Sequence, residues 1–173
     1  SSPHSSSTND INYQNLGFGV PSANTIIGIK VDYIATDSNF DTGIYDEANM
    51  LHIKLIDNTG TPRASKVSGD PDWYGTTGVK TFGNRTDLWG EVAGFWTPDK
   101  INDPDFGVQL RARMFAPAAG GTRNVSMTAP TLTVYSVNET TGEVDIQIRL
   151  NMFGTGGVLK ACTLNVIEFG DAI

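Results

Sequence analysis

The side chains able to do chemistry in this sequence are few and scattered. The chain has two histidines and one cysteine. A zinc site built from His4, His52 and Cys162 would draw its ligands from three unrelated segments, whereas such sites are normally assembled from closely spaced pairs. A serine hydrolase would have to use His52 as its base, and no Gly-x-Ser-x-Gly turn is present to expose a serine nucleophile. Cys162 lies in Leu159-Lys160-Ala161-Cys162-Thr163-Leu164 with no histidine beside it, which reads as a small buried apolar residue.

Carboxylates offer more. Acids cluster at Asp37 and Asp41, at Asp46 and Glu47, and at Asp99, Asp103 and Asp105. A glycosidase needs two such groups across a cleft, but all of these sit in turn-rich segments, where aspartate is favoured because it caps backbone N–H groups. The run from Asp99 to Asp105 also gathers hard oxygen donors, and Asp99, Asn102, Asp103 and Asp105 are calcium-ligand candidates. It lacks the glycine and the closing glutamate of an EF-hand loop. Aromatic residues concentrate between 73 and 96. Trp73, Tyr74 and Trp96 are candidates for stacking on a sugar ring or filling an interface, while Trp89, between Leu88 and Gly90, reads as core.

The elements that would position these groups are strands. From Asn24 to Ala35, Ile27, Ile29, Val31 and Tyr33 fall on one face, with Ile26, Gly28, Lys30 and Asp32 on the other. Leu51, Ile53 and Leu55 alternate with His52 and Lys54 until Asn58-Thr59-Gly60-Thr61-Pro62 turns the chain. Strands are also predicted over residues 79–82, 107–115, 131–137, 143–151 and 158–169. The segment Met152–Gly157 would join the last two as a C-terminal hairpin. Thr97-Pro98-Asp99-Lys100-Ile101-Asn102 has an N-cap threonine and a first-turn proline, but Asp103-Pro104 limits it to about one helical turn. Seven to nine strands joined by turns predict an all-β fold, an antiparallel β-sandwich with jelly-roll-like character and a C-terminal hairpin extension. Residues 1–14 read as a polar arm, flexible or laid on a neighbour, and residues 15–173 as one domain.

Charge narrows the partners. A formal net charge of -7 disfavours a nucleic-acid backbone. Arg111 and Arg113, the nearest approach to a basic cluster, read as one face of a solvated strand matched by acids such as Asp103 and Asp105. No apolar run approaches bilayer-spanning length and the N-terminus lacks a signal-peptide layout, so the expectation is a soluble protein without a membrane partner.

Six segments recur in a telling order: Leu16-Gly17-Phe18-Gly19-Val20-Pro21-Ser22, Thr25-Ile26-Ile27-Gly28-Ile29-Lys30-Val31, Thr81-Phe82-Gly83-Asn84-Arg85-Thr86-Asp87-Leu88-Trp89-Gly90, Trp96-Thr97-Pro98-Asp99-Lys100-Ile101-Asn102, Phe106-Gly107-Val108-Gln109-Leu110 and Leu132-Thr133-Val134-Tyr135. Together, over residues 16–135, they resemble a family of β-sandwich domains in structural proteins of tailed-bacteriophage virions. The resemblance implies a jelly-roll-like module that decorates a particle or its tail, whose shared motifs specify fold, so no catalytic residue carries over. The chain departs from that pattern after Tyr135. The expectation is a non-enzymatic capsid decoration (cement) protein on the virion exterior, without cofactor. Its partners would be the major capsid protein or other virion proteins, and it would form a homo-oligomer, with a trimer favoured. The alternative is a tail-fibre receptor- or carbohydrate-binding module.

Overall fold

Strands form in each described segment where β-branched and polar residues alternate. The computed structural model describes residues 4–7, 9–37, 48–66, 78–116 and 125–150; the predicted hairpin over 152–169 and Cys162 lie outside them. Ten strands and one helix follow in order: β1 His4–Ser7, β2 Ile11–Gln14, β3 Asn24–Asp37, β4 Ala48–Ile56, β5 Pro62–Ser65, β6 Gly78–Gly83, α1 Pro98–Asn102, β7 Gly107–Ala116, β8 Val125–Met127, β9 Thr131–Asn138 and β10 Val144–Leu150. They make two antiparallel sheets, an all-β sandwich. One sheet runs β1-β7-β4-β5 with β2 also on β7, and the other β10-β9-β3-β6 with β8 also on β3.

The polar arm is part of the first sheet. Ser7 pairs with Arg113 and Ile11 with Leu110, so β1 and β2 both lie along β7. Pairing gives backbone partners to the edge of β7, and Tyr13 packs against the core. The arm therefore lies on its own domain.

The core fills the space between the sheets. Ile26, Ile29, Val31, Tyr33, Leu132 and Val134 face Ile53, Leu55, Val108 and Leu110, and Leu16, Phe18, Trp89, Trp96, Ile101 and Phe106 close its margins. On β3 the face assignment differs from the simple alternation. Ile26 pairs with Ser136 and Gly28 with Tyr135, leaving Ile27 as an extra residue. This bulge reverses the phase, so Ile26 is buried while Ile27 is only half-buried.

The bulge is where the Thr81–Gly90 turn docks. Ile29 N donates to the Asp87 carbonyl, and Trp89 Nε1 donates to the Ile29 carbonyl at 2.8 Å. Asp87 Oδ1 accepts from Trp89 N at 2.8 Å, which holds Trp89 at φ 60°, a costly conformation for an aromatic residue. A Cβ on Gly28 would fall on the Arg85 backbone carbonyl, and one on Gly83 on the Ile29 carbonyl. Both glycines are there to let two backbones touch.

Strand β10 is inverted in polarity. Its alternation is regular, but Gln147 and Arg149 face the sandwich interior, 5% and 8% exposed, while Val144, Ile146 and Ile148 are half-buried on the other face. The polar residues hold the Gly17–Val20 segment through its backbone. Gln147 Oε1 accepts from Gly19 N at 2.9 Å, Arg149 Nε donates to the Gly17 carbonyl at 2.9 Å, and the Arg149 guanidinium lies over the Phe18 ring. An extended segment crossing the end of a sandwich exposes backbone groups that must be paired, and β10 supplies the partners.

The turn after β4 works as its sequence predicts. Gly60 takes φ 72° and Pro62 opens β5. Asp57 organises the turn: burial pushes its carboxyl up, but hydrogen bonds from Thr59 Oγ1, Thr59 N and Thr61 N, with Arg63 nearby, outweigh this and hold it below the ordinary carboxylate range.

Candidate functional site

The calcium-candidate loop is occupied by its own structure. Thr97 Oγ1 caps α1 by accepting from Lys100 N at 3.3 Å. Asn102 pairs with the Val20 backbone in both directions: Oδ1 accepts from Val20 N at 2.8 Å and Nδ2 donates to the Val20 carbonyl at 2.9 Å. Asp103 Oδ1 accepts from Asp105 N at 2.8 Å, and the Asp105 carbonyl accepts from Gln14. Two of the four candidates, Asn102 and Asp103, thus act as backbone partners. No group of three or more His, Cys, Asp or Glu side chains among the described residues is placed to hold a metal. Replacing Asn102 with alanine should lower stability by about 1–2 kcal/mol through the two lost bonds. Thermal melts of the wild type in calcium and in EDTA should coincide, and a calcium-dependent rise in Tm would reinstate the loop as a cation site.

The aromatic candidates divide. Trp73 and Tyr74 lie outside the described residues. Trp96, a candidate for ligand stacking or an interface with core use as the competing reading, is 2% exposed, with Nε1 donating to the Leu88 carbonyl and its ring edge-on to Phe95 and Phe106. It cannot stack on a sugar without leaving the core. Phe95 is half-buried beside it, flanked by the Arg63 guanidinium at 4.4 Å and the Lys100 ammonium at 3.6 Å from its centroid. Arg63 also approaches Glu91 and Asp57, so these charges tie loops together.

His52 sits on the outer face of the first sheet, across from Arg111. Asp10 of the arm lies 4.0 Å from the Arg111 guanidinium. Asp10 Oδ1 is 3.1 Å from His52 Nε2, yet Nε2 makes no hydrogen bond. Burial, then the neighbouring Lys54, hold the imidazole below its ordinary value. Arg111 acts the same way, and Asp10 and Gln109 oppose it. The unfolded chain therefore takes this proton first. The contribution to stability is full above about pH 6.5 and fades as pH falls from there through the lowered folded value. Unfolding free energies measured between about pH 7 and pH 5 should slope less in His52→Gln than in the wild type. Identical slopes would remove His52 as the cause.

Of the carboxylate clusters, Asp41, Asp46 and Glu47 lie outside the described residues, and Asp37 ends β3.

The groups that converge most clearly were not singled out by the sequence. A pocket of about 320 Å³ opens at one end of the sandwich, lined by Gly19, Pro21, Asn24, Asn138, Glu143, Val144, Asp145 and Gln147. Three separated features build it: the turn entering β3, the polar face of β10, and the β9–β10 connection. In that connection Asn138 Oδ1 accepts from Thr140 N and Thr141 N, and Gly142 takes φ 75°. Asn24 and Gln147 are 8% and 5% exposed. The only hint in the sequence is the polar half of the β10 alternation, whose direction depends on contacts over 120 residues away. Comparison with family models, with curated proteins and with solved structures returns no match for this chain.

Proposed function

We propose that this chain is a non-enzymatic virion structural protein, a jelly-roll-like capsid decoration or cement protein that stabilises the shell from outside through its interfaces. The observation that carries the reading is the inversion of β10. Ile146 pairs with Tyr135 and Ile148 with Thr133 on the face opposite Gln147 and Arg149, with Ile27 bulged out of the adjoining β3; Thr133 is buried there and the others are half-buried. A half-buried apolar sheet face of this composition has area left to bury against another protein. Supporting it, Asn102, Asp103 and Trp96, the candidates for a metal or a sugar, are engaged in holding the fold. The six ordered motifs cover the segment held by β10, the turn docked on β3, α1 and parts of β3, β7 and β9.

The partners are the major capsid protein or neighbouring virion proteins, and symmetric shells favour a trimer at each attachment point. A stable contact would bury about 1,200–2,000 Å² in total. Mixing purified protein with shells that lack it and sedimenting them tests the reading. Saturable co-sedimentation at a fixed ratio to the capsid subunit is expected, and protein that stays in the supernatant at all concentrations would overturn it.

A further inference from the structure

Among the described residues β10 is the outermost strand of its sheet, bonded to β9 alone. All seven of its residues pair with β9 without a shift of register. Next to the first of these pairs, Asn138 N donates to the Glu143 carbonyl at 2.9 Å. By the alternation of an antiparallel ladder, Asp145, Gln147 and Arg149 then turn their N–H and C=O groups to β9, and Val144, Ile146 and Ile148 turn theirs to the open edge. The Ile148 carbonyl accepts from Arg149 Nη1 at 3.2 Å, which brings the guanidinium to that edge and leaves the carbonyl a second lone pair.

Open edges are normally blunted by a proline, a lysine, a bulge or a very short strand. Val144–Leu150 has none of these. Its two charges are instead placed symmetrically, Asp145 and Arg149 standing two residues either side of Gln147 and on the same face as it. A second β10 laid antiparallel across a two-fold axis through Gln147 would set Asp145 of each copy opposite Arg149 of the other. It would also set Ile146 opposite Ile148, whose open N–H and C=O groups would then be exchanged. Centring the axis on Asp145 or on Arg149 would put like charges directly opposite, so charge selects this register.

We infer that the open edge of β10 pairs with β10 of a second copy of this chain, antiparallel across a two-fold axis through Gln147, so that one sheet runs through both copies. This goes beyond the decoration reading and does not depend on it. A two-fold contact cannot close a trimer; where trimers sit on a shell it would link one to the next. One strand pair is smaller than the roughly 1,200–2,000 Å² of a standard interface, so association at roughly 10–100 μM is expected.

Sedimentation velocity of the full chain from about 1 μM to about 1 mM should show the mass double. Hydrogen exchange at the Ile146 and Ile148 amides should slow as the concentration rises, while the Asp145, Gln147 and Arg149 amides, bonded to β9, act as the internal control. Asp145→Lys, which sets two cations opposite each other, should weaken the doubling at least about tenfold, and Asp145→Asn by less. A mass that never doubles, doubling as strong in Asp145→Lys as in the wild type, or Ile146 and Ile148 amides that exchange alike at every concentration would overturn the inference. Constant slow exchange at those two amides would mean that another segment of the same chain covers the edge. Doubling through these amides in a protein that does not bind shells would support the edge contact and overturn the decoration reading alone. Shell binding by a protein that never doubles would overturn the edge contact alone.

Discussion

Gly28→Ala is expected to lose about 3 kcal/mol or more of unfolding free energy, a large share of the stability of a domain this size. The new methyl group would fall on the Arg85 carbonyl. That backbone cannot withdraw freely, because Ile29 N, the Ile29 carbonyl, Asp87 and Trp89 bind it to β3 on either side of the contact. Gly19→Ala is the matched control. A Cβ there meets nothing within 4 Å, its amide can still donate to Gln147, and the change should stay within about 0.5 kcal/mol. Urea unfolding followed by tryptophan fluorescence reads both, since Trp89 and Trp96 are buried. Equal stability of the two variants would mean that the Thr81–Gly90 turn does not dock on the β3 bulge.

Trp96→Ala should destabilise by about 3–5 kcal/mol, the range for removing a buried indole. Trp96→Phe should cost less, because a ring still packs on Phe95 and Phe106 while only the bond to the Leu88 carbonyl is lost. The ordering separates the core role from a sugar-stacking one. A surface platform would lose ligand affinity on truncation and leave the melt almost unchanged. A melt within about 0.5 kcal/mol of wild type for Trp96→Ala would therefore contradict its placement in the core and revive the glycan-binding alternative.

Much of the fold was legible because a period of two survives translation into a sheet. The strands on β3, β4, β6, β7, β9 and β10, the α1 cap at Thr97 and the Gly60 turn follow from local sequence alone. The direction of a face is another matter. On β3 the apolar series Ile27, Ile29, Val31 and Tyr33 has an unbroken period, and only the register against β9 reveals that Ile27 is the residue bulged out. On β10 alternation distinguishes two faces but cannot say which meets the core, and hydrophobicity points the wrong way. Gln147 and Arg149 face inward because Gly17 and Gly19 need backbone partners there.

The candidate site was less legible for a related reason. Asn102 and Asp103 have the side chains of calcium ligands and equally those of backbone caps, and the distinction rests on a partner, Val20, that is distant in sequence. Trp96 sits in an aromatic-rich stretch whose composition suits a binding surface, yet Phe106 and Leu88 enclose it. The pocket draws on Asn24, Asn138 and Gln147, three polar residues in strands or turns that carry no motif.

Heating virus shells assembled without this protein, then the same shells after purified protein is added back, tests the central claim most directly. The account predicts that the protein-bearing shells release their contents at a measurably higher temperature, with an effect that saturates at full occupancy and needs no substrate or cofactor. Shells that fail at the same temperature with and without bound protein would contradict it.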